Sequence, residues 1–536
     1  MTKGMISAPQ PEAVEAGLDV LQDGGNAVDA AIACALVQTA VDPQMCGIAG
    51  FGNMQLYLPK IGVHTTFDFH GCSPLSTTPD MWEHLIEREA LDGWGFILKG
   101  RVNEIGYGAI STPRTLAAFD EALRRFGTKS IVDLIEPAIA YCEEGFMVRP
   151  HMSEFWNKPP TAGRDANISM LTKNPVTRKI YCHSDGNALG VGEILKNPDM
   201  ARTYRRIAEH GVDDFYAGEI ADRIVDDMKA NGGMISHKDL ANCSAEEKEP
   251  IWGSYRGYRY ATNHPPGGGV MLIEMLNILE NFDLAALGHN SAEYIRVVSE
   301  AMKIATIDKD NKVGDPKFYD VPMQELTSKE YAATHAEAIR RGEKANVARL
   351  NTGGAESKNT TQVTVVDEDG NCVTMTHTLG QPSGVVTDGL GFMYNGAMTV
   401  FDPRPGRSGS LAPGKARFTA ISPTIVFKDD KPYLVLGAPG ATYITMGNLQ
   451  VMLNVMDFGM NAQEAVLAAR FAAVSNNIEI SNRILRACER DLRGLRYPVV
   501  RHPVSHTFAW VHAIRIVDGK LDGGADAATD GMAMSV

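Results

Sequence analysis

An asparagine and two threonines meet at Asn359-Thr360-Thr361, where a loop gives way to a strand. Residues 344–358 (KANVARLNTGGAESK) lose apolar periodicity and collect Gly, Ser, Asn and Lys, as exposed flexible segments do. The residues that follow are apolar and β-branched, so an exposed loop feeds directly into a core strand. A threonine hydroxyl is a poor nucleophile at neutral pH and needs a base within hydrogen-bond reach. A free α-amine, with a pKa of about 7.7 to 8.0 in peptides, is partly neutral at working pH and can take the hydroxyl proton. A threonine that begins a chain therefore carries nucleophile and base on one residue. Taken alone, the tripeptide reads as a loop followed by strand residues, so its surroundings must decide.

The elements that would position this junction are legible. Thr361–Asp367 alternates as a strand, Asp369-Gly370 is a hairpin turn, and residues 371–379 return as the partner strand. A second pair is expected around residues 422–427 and 433–436. Near the start, residues 11–23 carry an amphipathic helix stopped by Gly24-Gly25, and Asn26 can cap the next helix. That helix, residues 27–40, is apolar nearly all round, which predicts burial between layers. The glycines of CGIAGFGN (residues 46–53) could cradle a phosphate, but no Lys-Ser/Thr follows, so close backbone packing is the expected role. Short strands are expected at residues 54–58 and 65–69, then a helix-rich stretch over residues 80–343.

Composition narrows the function classes. The chain has 536 residues, 44% hydrophobic and 22% charged, with a formal net charge of −14. This suits a globular enzyme and argues against a nucleic-acid or anionic-membrane binder, which needs clustered Lys and Arg. The start has no apolar signal core and no 18-residue apolar run is present, so a cytoplasmic location is expected. The eight cysteines form no CxxC pair, and no metal or cofactor motif stands out, so neither is expected. The Arg-rich stretch at Arg483, Arg486, Arg490, Arg493 and Arg496 reads as a solvated helix face.

Several blocks, in order along nearly the whole chain, resemble the γ-glutamyltranspeptidase family. They are EAGLDVLQDGGNAVDAAIA (residues 15–33), CGIAGFGNMQLY (46–57), YRGYRYATNHPPGGGVMLIEMLNILENFDL (255–284), VGDPKF (313–318), NTTQVTVVDEDGNCVTMTHTL (359–379), ISPTIV (421–426) and GAPGATYI (437–444). The resemblance implies an α+β fold, a four-layer αββα sandwich of the N-terminal-nucleophile hydrolase type. It also implies self-cleavage between Asn359 and Thr360, giving a large subunit (1–359) and a small one (360–536) that stay associated as one unit. Thr360 becomes the nucleophile, Thr378 orients and polarises it, and the backbone N–H groups of Gly440 and Ala441 form the oxyanion hole. The family has two glycines at that turn; backbone donors tolerate Ala441, although its Cβ restricts the dihedrals.

The specificity positions depart from the family. Pro79 stands where an Arg for the α-carboxylate is usual, Gly380, Ala397 and Val400 replace polar groups for the ammonium, and a Ser-Ser pair becomes Thr419-Ala420. Residues 401–419, the corresponding lid, are shortened, so a more open site is expected. Arg417, Arg114 and His70 are the candidates for a positive group facing a carboxylate-bearing acyl chain. For the arginines the plain alternative is a solvated or paired side chain, and for His70 a satisfied strand histidine. The resulting expectation is an autoprocessing amidohydrolase for a small-molecule amide with a non-γ-glutamyl acyl group, as in the related oxamate amidohydrolases and cephalosporin acylases. The rival readings are a γ-glutamyl hydrolase or transferase with substitute contacts, and an unprocessed pseudoenzyme that binds a partner. A homo-oligomer is compatible with all three.

Overall fold

Asp367 organises the hairpin that the Asp369-Gly370 pair predicts. Its carboxylate accepts from the backbone N–H of Asp369 (2.9 Å) and Asn371 (3.0 Å), while Gly370 takes φ +76°, which suits glycine. The other carboxylate oxygen accepts from Ala27 N at 2.9 Å, so the hairpin also holds the start of the Ala27–Val41 helix. Thr361–Asp367 and Cys372–Thr378 then pair antiparallel with Thr361 opposite His377.

The computed structural model describes residues 4–90, 95–161, 163–348, 360–503 and 508–536. Around the hairpin runs a seven-stranded sheet in the order Met532–Ser535, Gly4–Ala8, Thr361–Asp367, Cys372–Thr378, Phe51–Leu58, Val63–Phe69, Glu246–Lys248. A six-stranded sheet, in the order Lys520–Ala525, His512–Val517, Lys431–Gly437, Thr424–Lys428, Tyr258–Thr262, Ile251–Tyr255, faces it. Val366, Cys372, Ile425, Phe427, Val435 and Ile514 fill the space between the sheets. Thr374 Oγ1 donates to Leu436 O (3.0 Å) and Thr364 Oγ1 to His512 O (3.2 Å), stitching the sheets together.

Helices cover the two outer faces. Pro11–Gln22 and Ala27–Val41 pack on the first sheet, and every residue of the second helix is buried, as its all-round apolarity predicts. Asn26 Oδ1 caps it, accepting from Val28 N and Asp29 N. Gly269–Leu279 and Ile444–Met456 pack on the second sheet, and Ala292–Lys312 packs against Gly269–Leu279. The result is the four-layer αββα sandwich.

One expectation needs refinement. Within the helix-rich span of residues 80–343, Ile251–Tyr255 and Tyr258–Thr262 form a hairpin of the six-stranded sheet. Its outer strand alternates half-buried and exposed residues, so it lacks the apolar run that marks an inner strand. Strands from both sides of position 360 enter both sheets, so the two expected pieces share one core. Asn359 and residues 349–358 lie outside the described residues.

Candidate active site

Extending the hairpin register by one residue sets Thr360 opposite Thr378. The Thr360 hydroxyl donates to Thr378 Oγ1 at 3.2 Å, and Thr378 Oγ1 also accepts from Gly380 N at 2.8 Å. Both threonines are buried but line the same cavity of about 660 Å³. On the other side, Thr378 pairs with Phe51 at the start of the Phe51–Leu58 strand. This explains the glycine-rich entry: a Cβ on Gly50 would collide with Thr378 O, and one on Gly52 with Thr376 O. The glycines serve close packing against the strand that carries Thr378.

The turn at residues 437–444 leads from the Lys431–Gly437 strand into the Ile444–Met456 helix. Gly440 takes φ +143°, and a Cβ there would come within 2.6 Å of Ala509 Cα, so glycine is required. Ala441 takes φ +53°, a left-handed conformation that costs an L-residue about 1 kcal/mol or more. Among the described residues neither N–H has a hydrogen-bond partner, and Ala441 lines the cavity. Two free backbone donors at the head of a helix, beside Thr360, suit a developing oxyanion. A buried brace lies behind the turn: Tyr443 Oη donates to Glu479 Oε2 (3.0 Å), which is also hydrogen-bonded to His502 Nε2 (2.6 Å).

Of the expected substrate contacts, Gly380, Arg417, Thr419, Ala420 and Val400 line the cavity. Ala397 is buried outside the lining, and Pro79 is exposed away from it. His70 stands behind the wall, fully buried, with Nε2 hydrogen-bonded to Thr419 Oγ1 (2.7 Å) and Nδ1 to Asp68. Burial would raise the Asp68 carboxyl, but the neighbouring His70 and Lys248 outweigh it and hold the group well below the usual range. Arg114 is corrected: it does not face the cavity but donates to His70 O (3.3 Å) and pairs with Glu246 (3.9 Å). Its short reach from residue 114 to the turn after Val63–Phe69 makes it a buttress of His70. The shortened 401–419 segment contributes Asp402, Arg404, Arg407 and Ser408 to the outer wall.

Some contributors were not singled out from sequence. Asp68 lies two residues before His70, the spacing of strand residues that share a face, so its position beside that candidate carried a usable signal. Phe51 and Thr442 line the cavity, and the Glu479–His502 brace supports the turn, through contacts distant in sequence that carry no local signal.

The sequence profile described as Gamma-glutamyltranspeptidase matches residues 13–536. The chain is 35% identical over 539 residues to the acylase ACY 1 proenzyme of Pseudomonas sp. (strain V22), covering 100% of this chain and 94% of that protein. It is also 35% identical over 485 residues to the glutathione hydrolase proenzyme of Escherichia coli (strain K12), covering 88% and 80%. The crystal structure of cephalosporin acylase from Bacillus halodurans superposes with a TM-score of 0.87 at 27% identity, covering 99% of this chain and 96% of that one.

Proposed function

The chain belongs to the γ-glutamyltranspeptidase family, and from that premise we propose that it is a self-processing amide hydrolase working through an acyl ester on Thr360. The observation that carries this reading is the Thr360–Thr378 hydroxyl contact of 3.2 Å inside the large cavity, with two unengaged backbone donors beside it.

In maturation, Thr360 Oγ attacks the Asn359 carbonyl. The C–N bond breaks as the ester forms, and water opens the ester to leave the Asn359 carboxylate and the free Thr360 amine. Interleaved strands keep the two pieces together. In turnover, the Thr360 amine accepts the hydroxyl proton as Oγ adds to the substrate carbonyl. Gly440 and Ala441 N–H stabilise the oxyanion, and the ammonium returns its proton to the departing amine. Water then attacks the ester with the same amine as base, releasing the acid. Thr378 stays throughout as the partner that holds Oγ in line.

The acyl group in this reading is not γ-glutamyl, because Gly380, Ala397 and Val400 present no side-chain acceptor for a desolvated ammonium. The name of the E. coli relative keeps glutathione-like substrates as the second reading. Two experiments test the proposal. A denaturing gel with N-terminal sequencing is expected to give two fragments, the smaller beginning at Thr360. One intact band near 58.1 kDa, or a start elsewhere, removes the assignment. Brisk hydrolysis of a γ-glutamyl anilide, lost in Thr360→Ala, would favour the second reading.

A further inference from the structure

The turn that carries the Gly440 and Ala441 N–H groups is held in a conformation that its own sequence disfavours. Ala441 takes φ +53°, so surrounding contacts must impose what an L-residue does not choose. Ala441 and Thr442 line the cavity. Tyr443, the last residue of the Ala441–Tyr443 turn and the one that precedes the Ile444–Met456 helix, does not line it and is buried. Its backbone N–H donates to Gly440 O (3.0 Å), so the place of the Tyr443 ring and the direction of the turn are tied together.

What holds that ring comes from far along the chain. Tyr443 Oη donates to Glu479 Oε2 at 3.0 Å, and Glu479 is fully buried in the Ile478–Ile480 strand, which pairs with Val499–Arg501. Directly after that second strand, His502 N donates to Ile480 O (3.0 Å), and His502 Nε2 is hydrogen-bonded to the same Glu479 oxygen (2.6 Å). Phe508 closes the group, edge-on to Tyr443 (ring centroids 5.8 Å apart) and to His502 (5.6 Å). The next two residues grip the turn itself: Ala509 leaves no room for a Cβ on Gly440, and Trp510 N donates to Pro439 O at 2.9 Å. A buried carboxylate adds little to stability, because its desolvation offsets the bonds it makes. What it supplies is direction: an oxygen fixed by two partners gives the Tyr443 hydroxyl one place to point.

We propose that Glu479 is a positioning residue for catalysis. By holding Tyr443 it fixes the aim of the Gly440 and Ala441 N–H groups, and so acts on the tetrahedral stage of the reaction and not on substrate binding. A misdirected donor still lets a planar carbonyl enter the cavity but meets the developing oxyanion poorly. The inference rests on the amidase reading above and names the remote residue that sets its oxyanion hole.

The test uses the processed protein with butyryl and γ-glutamyl p-nitroanilides, and with butylboronic acid as a mimic of the tetrahedral stage. Thr360 Oγ adds to boron, its proton passes to the Thr360 amine, and nothing leaves. Tyr443→Phe and Glu479→Ala are expected to lose about tenfold to a hundredfold in kcat with KM within about twofold, and to bind butylboronic acid more weakly by about the same factor. Glu479→Gln keeps an acceptor oxygen for Tyr443 and should recover part of the loss. A loss confined to KM, or a kcat in Tyr443→Phe equal to that of wild type, overturns the inference. Hydrogen exchange across residues 437–444, read by mass spectrometry, needs no turnover. Faster exchange there in Tyr443→Phe at unchanged Tm supports the brace even if wild type cleaves neither anilide and binds butylboronic acid no better than Thr360→Ala does, in which case the amidase reading falls alone. Exchange equal to wild type in both Tyr443→Phe and Glu479→Ala sinks the inference and leaves the amidase reading standing. Should Glu479→Ala fail to fold, Tyr443→Phe, which loses a single oxygen atom, carries the same comparisons.

Discussion

Thr360 Oγ1 donates to Thr378 Oγ1 across 3.2 Å, one step past the last paired residues, Thr361 and His377. The contact follows from register: an antiparallel hairpin closed at Asp369-Gly370 brings residues eighteen apart in sequence to adjacent positions on neighbouring strands. The partner of Thr360 is thus set by a turn at the far end of the hairpin.

Thr360→Ala should leave the chain uncut, whereas Thr360→Ser should cut and turn over more slowly. Thr378→Ala should mature slowly and lose about a hundredfold in kcat with little change in KM, since it positions Oγ without holding the substrate. A time course on denaturing gels and steady-state kinetics check both. Rapid cleavage in Thr360→Ala would refute the assignment of the nucleophile.

Gly440→Ala places a Cβ 2.6 Å from Ala509 Cα, so the turn must shift and its two N–H groups move with it. The expected result is a loss of about a hundredfold or more in kcat, the scale of losing one oxyanion donor. Ala441→Gly relaxes the φ +53° strain and keeps the donors, so activity should persist. Activity in Gly440→Ala matching that of the wild type would move the oxyanion hole elsewhere.

Arg417→Met should raise thermal stability. Replacing a buried unpaired charge by an apolar side chain of similar length gains about 1 to 3 kcal/mol. Calorimetry reads the change in Tm, and a lower Tm would mean that Arg417 is held by contacts that favour the fold.

Stability should fall as pH drops from about 6.5 towards 4. Burial pushes His377 down to about 3 and His512 down to about 4, while both take the ordinary value near 6.5 in the unfolded chain. Across that window the unfolded chain binds more protons than the folded one, so stability rises with pH and is complete above about 6.5. Each histidine costs about 1.4 kcal/mol per pH unit inside the window. His377 Nε2 is hydrogen-bonded to Gln38 Oε1 at 2.9 Å, and among the described residues Nδ1 has no partner to share a second proton. In His377→Asn the slope of urea-unfolding stability against pH should be shallower; an unchanged slope assigns the acid sensitivity to other groups.

Sequence by itself determined the parts of this protein that depend on neighbours along the chain. The Asp369-Gly370 turn, the Asn26 cap and the fully buried Ala27–Val41 helix all express local periodicity or turn chemistry, and the matched blocks carried the sandwich by resemblance and pointed to Thr360, Thr378 and Gly440 as candidates. The Ile251–Tyr255 strand escaped because an edge strand is half exposed and lacks an apolar signature. Tertiary structure alone separated the three basic candidates. Arg417, Arg114 and His70 look alike in sequence, since each is a basic residue beside apolar ones. What distinguishes them is distant: Glu246 and the His70 carbonyl engage Arg114, Asp68 and Thr419 satisfy His70, and Phe51 and Gly380 bury Arg417 without supplying a charge. The solvation and partners of a buried basic side chain are fixed only when remote segments pack.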